Sequence, residues 1–280
     1  MKIITSLVLF CVLLSGCKEQ NNKNPLLDSD IKASQLENAA NELQQAAKKN
    51  SHTNYEKAEV KIIPIEHATA VLEWNNITIY IDPVGGAEAF EGQKLPDLIL
   101  ITDIHGDHFS LETLEALNTS KAKIIVPQAV ADKIPDNFIP ILDVLDNGTS
   151  KERYGINIEA LPMYNLREEA LNFHTKGRGN GYVLNIGDQR LYFSGDTEDI
   201  PEMRALKNID KAFVCMNLPY TMTPESAAAA VLEFKPKQVY PYHYRGRPDV
   251  SDVSEFKKLV NAGNSDIVVV QLDWYPNEAY

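Results

Sequence analysis

The stretch ITDIHGDHFS, Ile101 to Ser110, constrains this chain more than any other ten residues. It places Asp103, His105, Asp107 and His108 directly after the apolar run Leu98-Ile99-Leu100-Ile101. A short continuous apolar run bounded by polar residues predicts a strand buried on both faces. The loop leaving such a strand emerges at the carboxyl edge of the sheet, where α/β proteins build their sites. Gly106 lets that loop turn tightly and bring alternate side chains to one point. Two carboxylates and two imidazoles at the edge of a core are costly unless a cation or strong hydrogen bonds compensate them. The donors are nitrogen and oxygen with no sulfur among them, which suits Zn²⁺, Mn²⁺ or Fe²⁺.

The same texture recurs along the chain. From about Val60, the runs VKIIPI, TAVLEW and ITIYIDP are β-branched with turn residues between them, predicting a hairpin or meander. SLETLEAL reads as a helix capped by Ser110, and TPESAAAAVLEF as a helix opened by Thr223-Pro224. SDVSEFKKLVNAG reads as a helix closed by Gly263, and AKIIVP, GINIEALPMYN, GYVLNIG, QRLYFSGD, KAFVCMNL, KQVYPYHY and DIVVVQL as strands. No repeat of fixed period is present, so any two-fold character must be structural. Asp196 ends one strand on a Ser-Gly-Asp turn, His243 ends another in YPYHYRG, and His174 lies in the loop NFHTKGRGNGY. Four of the six histidines therefore fall beside predicted strand ends. A lone histidine there is usually structural; the four together point to a cation.

These residues resemble the metallo-β-lactamase-fold hydrolases, whose loop reads His-x-His-x-Asp-His, followed by a later histidine, a Gly-Asp-Thr turn and a final histidine. The matching residues are Asp103 to His108, Gly195-Asp196-Thr197 and His243. EHATAVLEWNNITIYIDP is similar to the opening hairpin of the lactonase-like branch. The resemblance spans roughly residues 60 to 270 and implies an α/β fold, a four-layer αββα sandwich of metallo-β-lactamase type. It also implies two divalent metal ions, zinc in first place with manganese or iron as alternatives. One site would use Asp103, His105 and His174, the other Asp107, His108 and His243, with Asp196 bridging. The chain departs from the family twice. Asp103 stands for the first histidine, and LPMYN holds no middle histidine, which leaves His174 to reach back from the next loop.

The implied activity is hydrolysis by metal-activated water, with Asp107 as the catalytic carboxylate. An ester, lactone or amide of a small molecule is the expected substrate. The alternatives are a phosphodiesterase or phospholipase-type hydrolase, and a metal-binding envelope lipoprotein without catalysis. His67 is either a site contact or a hairpin hydrogen bond, and Asp82 either a turn residue or the support of a ligating histidine. Lys176, Arg178, Arg245 and Arg247 either meet an anionic substrate or are solvated. The loop Gly85 to Pro96 is expected to shape substrate choice. GRGNG, Gly177 to Gly181, is no phosphate loop, since it lacks the Lys-Ser/Thr ending and precedes a strand.

The N-terminus supplies an address. Lys2 precedes the apolar run Ile3 to Leu14, and Leu-Ser-Gly-Cys follows, which resembles the lipobox of bacterial lipoproteins with Cys17 as the lipidation site. Residues 1–17 are read as signal peptide, 18–57 as tether and helical spacer, and 58–280 as the catalytic domain. The chain would then sit in the cell envelope, anchored to a membrane by lipid. Without the signal peptide, 26 basic residues face 39 acidic ones, a net charge near −13, which argues against nucleic acid as a partner. Cys215, in an apolar run, is the one remaining thiol once Cys11 and Cys17 are accounted for, and reads as a buried small hydrophobe.

Overall fold

The computed structural model describes residues 58–276. The signal peptide, Cys17 and the spacer 18–57 lie outside the described residues, as do residues 277–280. Strands β1 (Lys61–Glu66), β2 (Thr69–Trp74) and β3 (Ile77–Ile81) form an antiparallel meander. β4 (Leu98–Leu100), β5 (Lys123–Val126) and β6 (Leu142–Val144) continue that sheet in parallel. A second sheet is antiparallel through β7 (Ser150–Arg153), β8 (Ile156–Met163), β9 (Gly179–Ile186) and β10 (Gln189–Phe193). It turns parallel through β11 (Lys211–Cys215), β12 (Gln238–Tyr242) and β13 (Val268–Val269).

The run at β4 shows why the sheets stack. Leu98 and Leu100 join the core between the sheets, beside Ile81, Tyr182 and Phe193. Ile99 and Ile101 point the other way, against Leu114 and Val130. Side chains alternate along a strand, so both faces of the first sheet are buried. Leu114 belongs to helix α1 (Leu111–Ala116) and Val130 to α2 (Gln128–Ala131), which cover the outer face. The short α3 (Pro201–Arg204) follows β10, and its Met203 joins the main core. Helices α4 (Pro224–Phe234) and α5 (Val253–Gly263) cover the second sheet with Val231, Phe234, Phe256 and Val260. Four layers result, each fully buried Ile, Leu or Phe contributing ~1.5–3 kcal/mol.

The helix starts are set locally. Ser110 accepts from the Thr113 amide and Thr223 from the Ser226 amide, as the sequence predicts. Asp252 does the same for α5, accepting from the Ser254 and Glu255 amides. β6 and β7 have no counterpart in the sequence reading. β6 is only three residues long, and β7 is the polar edge run Ser-Lys-Glu-Arg, with no apolar alternation to reveal it. The expected strand DIVVVQL shrinks to two residues.

Strand ends then bring the donors to one edge. The crowded loop leaves β4, Asp82 follows β3, Asn165 follows β8, Asp196 follows β10 and His243 follows β12. His67 sits in the β1–β2 turn. His67, Asp82 and His243 have φ of 56°, 45° and 47°, the left-handed region that non-glycine residues rarely occupy.

Candidate metal centre

Asp82 is the post behind the crowded loop. Its Oδ1 accepts from the Thr102 amide at 2.7 Å and its Oδ2 from the Thr102 hydroxyl at 2.7 Å. Oδ2 also lies 2.8 Å from His108 Nδ1, so His108 carries its proton there and presents the Nε2 lone pair. Of the two readings of Asp82, the support for a histidine is the one found. His108 Nε2 lies 3.0 Å from His243 Nε2 and 3.4 Å from Asp196 Oδ2. His243 Nε2 is 3.0 Å from Asp196 Oδ1 and 3.5 Å from Asp107 Oδ2. Asp107, His108, Asp196 and His243 thus each offer one ligand atom within 4.8 Å of the others. His108 and His243 are fully buried, and Asp107 is 41% exposed.

A second group forms beside it. His105 Nδ1 is 2.7 Å from Asp103 Oδ2, and His174 Nε2 is 3.1 Å from Asp196 Oδ2. Asp103, His105 and His174 offer ligand atoms within 4.8 Å of one another. Asn165, at the end of β8, explains the orientation of His174. Its Nδ2 donates to Glu198 Oε1 and the Tyr220 carbonyl, so its Oδ1 must face His174, accepting at 2.9 Å from the amide and lying 2.8 Å from Nδ1. His174 therefore presents Nε2. All seven predicted residues meet at one sheet edge, and Asp196 touches both groups. Gly195 permits this: its φ is +60°, and a Cβ there would come within 2.7 Å of Met163 Sδ.

The donor set fits a hard or borderline divalent cation. Asp196 Oδ1 is buried and accepts no hydrogen bond, although His243 Nε2 is 3.0 Å away. Lone pairs aimed at one another without protons to share are what a cation resolves. The charges agree. Burial raises the Asp196 carboxyl, but His243 and His108 more than offset this and hold it well below the usual carboxylate range. At Asp107, burial is likewise outweighed by His67, His108 and His243. Burial, above all, brings His243 down to about 4, so it is neutral at physiological pH. At His108 burial acts downward too, yet Asp196 and Asp82 raise it well above the usual imidazole value. The two ring nitrogens lie 3.0 Å apart, so a cation bound between them would take the place of any proton they share.

Three neighbours are less legible in the sequence. Arg178 donates from Nε and Nη2 to the two oxygens of Asp103, at 3.0 and 2.9 Å, so it is neither solvated nor turned to the cavity. Lys176 pairs with Glu202 at 2.7 Å. Tyr275 accepts from the Arg245 amide at 3.0 Å, and its hydroxyl lies 2.7 Å from His67 Nδ1. His67 Nε2 faces Asp107 Oδ2 at 3.4 Å. A cavity of about 380 Å³ opens onto His67, His105, Asp107, His174 and Asp196, and its far wall is Phe173, Asn217, Tyr220 and Arg245 to Arg247. The loop Gly85 to Pro96 is not among the residues that line that cavity. Gly246 is fixed there because a Cβ would lie 1.8 Å from the Leu218 carbonyl oxygen. Cys215 is buried as expected, and burial pushes its thiol up to about 12.

Two mixed sheets with this edge define a metal-dependent hydrolase of the metallo-β-lactamase fold. Residues 61–243 match the beta-lactamase superfamily domain. The chain is 32% identical over 221 residues to the UPF0173 metal-dependent hydrolase of Pyrococcus abyssi, covering 75% of this chain and 96% of that one. A crystal structure of a protein from Parabacteroides distasonis, assigned there as a metal-dependent hydrolase, is 36% identical, has a TM-score of 0.68 and covers 76% of this chain and 93% of its own. A metallo hydrolase from Ignicoccus hospitalis, at 23% identity and a TM-score of 0.64, covers 76% of this chain and 94% of its own and shares the fold. The chain belongs to the UPF0173 metal-dependent hydrolase family.

Proposed function

We propose that this hydrolase cleaves a small ester, lactone or amide, with one cation held by Asp107, His108 and His243, another by Asp103, His105 and His174, and Asp196 between them. The observation that carries this reading is the convergence of Asp107, His108, Asp196 and His243 within 4.8 Å, with Asp107 and Asp196 on the wall of a cavity. A divalent cation held there would lower the pKa of water from ~15.7 towards ~7 and polarise the attacked oxygen. Asp107, the most exposed member of that group, would take the proton that water loses. His67, held at Nδ1 by the Tyr275 hydroxyl at 2.7 Å, faces the second oxygen of Asp107 at 3.4 Å and helps to orient that carboxylate. The lactonase-like hairpin that contains His67 favours a cyclic ester within this class.

Zinc is the first choice of metal, and the carboxylate-rich donor set admits manganese or iron. A phosphodiester is the second reading, favoured by Arg245 and Arg247 on the cavity wall. Cys17 carries lipid on this reading and anchors the enzyme to the cell envelope, which a Cys17→Ser variant found in the soluble fraction would support. The deciding experiment measures metal content and turnover on p-nitrophenyl esters, phosphodiesters and a lactone panel. Bound metal with lactone or ester turnover is expected. Phosphodiester turnover alone would select the second reading, and metal without turnover on any class would leave a metal-binding lipoprotein.

A further inference from the structure

The two groups of donors differ in what stands behind them. In the group of Asp107, His108, Asp196 and His243, the supporting side chain is a buried carboxylate, Asp82, bonded to His108 Nδ1 at 2.8 Å. Among the described residues no lysine or arginine pairs with Asp82, Asp107 or Asp196; their ion-pair partners are histidines. In the group of Asp103, His105 and His174, the one carboxylate not shared is already neutralised. Arg178 grips both its oxygens at 3.0 and 2.9 Å, and the same guanidinium donates to the Phe173 carbonyl at 2.7 Å, which fixes it in place. The support of His174 is a neutral amide, Asn165 Oδ1 at 2.8 Å from Nδ1.

A cation entering beside His108 meets Asp107 and Asp196, whose charges face only histidines, and an imidazole backed by the Asp82 carboxylate. A cation entering beside His105 meets a carboxylate that shares its charge with a fixed guanidinium, and an imidazole backed only by an amide. From this contrast we infer, building on the hydrolase reading above, that the centre loads in order. The Asp107–His108–Asp196–His243 site fills first and tightly, and the Asp103–His105–His174 site fills second and weakly because Arg178 occupies its charge. Supporting partners of this kind change metal affinity by ~10–100-fold, so the two steps should differ by at least about tenfold. Under limiting metal the protein would hold one ion, with the Arg178 guanidinium as the resident positive charge of the second site.

Calorimetric titration of the chelator-stripped protein with Zn²⁺, repeated with Mn²⁺, tests this without any substrate. Two resolved steps are expected. Arg178→Gln should strengthen the second step about tenfold and leave the first unchanged, whereas Arg178→Lys, which keeps the charge, should leave the second weak. Asp82→Asn should weaken the first step by ~10–100-fold. Thermal unfolding of each variant confirms that it is folded before titration. Two equal steps in the unaltered protein would overturn the inference, as would a second step that weakens in Arg178→Gln, since Arg178 would then support Asp103 as a ligand. Binding of no ion at all would defeat the proposed function as well, which separates the two failures.

Discussion

The two sheets contribute to the centre in opposite ways. The first supplies Asp103, His105, Asp107 and His108 from a single loop after β4, with Asp82 one strand away as its support. The second supplies His174, Asp196 and His243 from three separate strand connections, the first and last 69 positions apart. The contrast separates two kinds of precision. In the first half local backbone geometry places the donors; in the second, strand order does, because β9, β10 and β12 bring distant residues to one edge only when the sheet is complete. Damage to the second half should therefore act through the fold as much as through the chemistry.

The largest effect should come from the residue where the halves meet. Asp196→Ala removes a ligand atom from the first group and the carboxylate 3.1 Å from His174 Nε2 in the second, and turnover should fall by at least two orders of magnitude, since even outer partners are worth ~10–100-fold. Metal analysis alongside kinetics checks it; retention of two ions would break the claim that Asp196 joins the halves. Gly246→Ala comes next and tests whether the second half depends on global fit. Its Cβ would meet the Leu218 carbonyl at 1.8 Å, so a loss of about 3 kcal/mol, roughly 10 °C in melting temperature, is expected. Ser110→Ala sharpens the first half. It removes the cap on α1 just after the crowded loop and should cost about 1 kcal/mol by chemical denaturation.

The smallest effect concerns Asp143 on β6, at the edge of the first sheet. Burial raises its carboxyl, but Lys151 and Arg153 outweigh that and hold it below its usual value. A depressed folded pKa gives stability that is present above the unfolded value of ~3.9 and lost as pH falls through the folded one. Melting curves should show Asp143→Asn less stable than the unaltered chain at pH 7, with the gap closing below about pH 4. A gap that widens in acid would reverse the sign.

The same contrast explains what could be read in advance. The β4 run and its loop were legible because burial on both faces and the dense donors are written in consecutive residues. The fold class followed from the resemblance carried by those donors, and the two mixed sheets agree with it. His174 was legible only as the nearest spare histidine, since its place depends on Asn165, nine residues earlier, turning an amide oxygen towards it. The pairing of Arg178 with Asp103 spans 75 positions and leaves no local trace. Nor could spacing show Tyr275, which reaches His67 across 208 positions. β7 stayed hidden because an edge strand exposed to solvent needs no apolar alternation.

Three of the seven left-handed non-glycine residues among the described residues belong to the site, and this has a practical consequence. His67, Asp82 and His243 each hold a backbone shape that costs an ordinary side chain ~1–2 kcal/mol, and glycine would hold it without that cost. Glycine at a left-handed position outside the site, such as the exposed Lys235 after α4, could therefore harden this protein without touching its chemistry. At Asp82 the same change would leave the buried Thr102 amide and His108 Nδ1 without their acceptor, so the strain in the site's turns is held in place by the hydrogen bonds it serves.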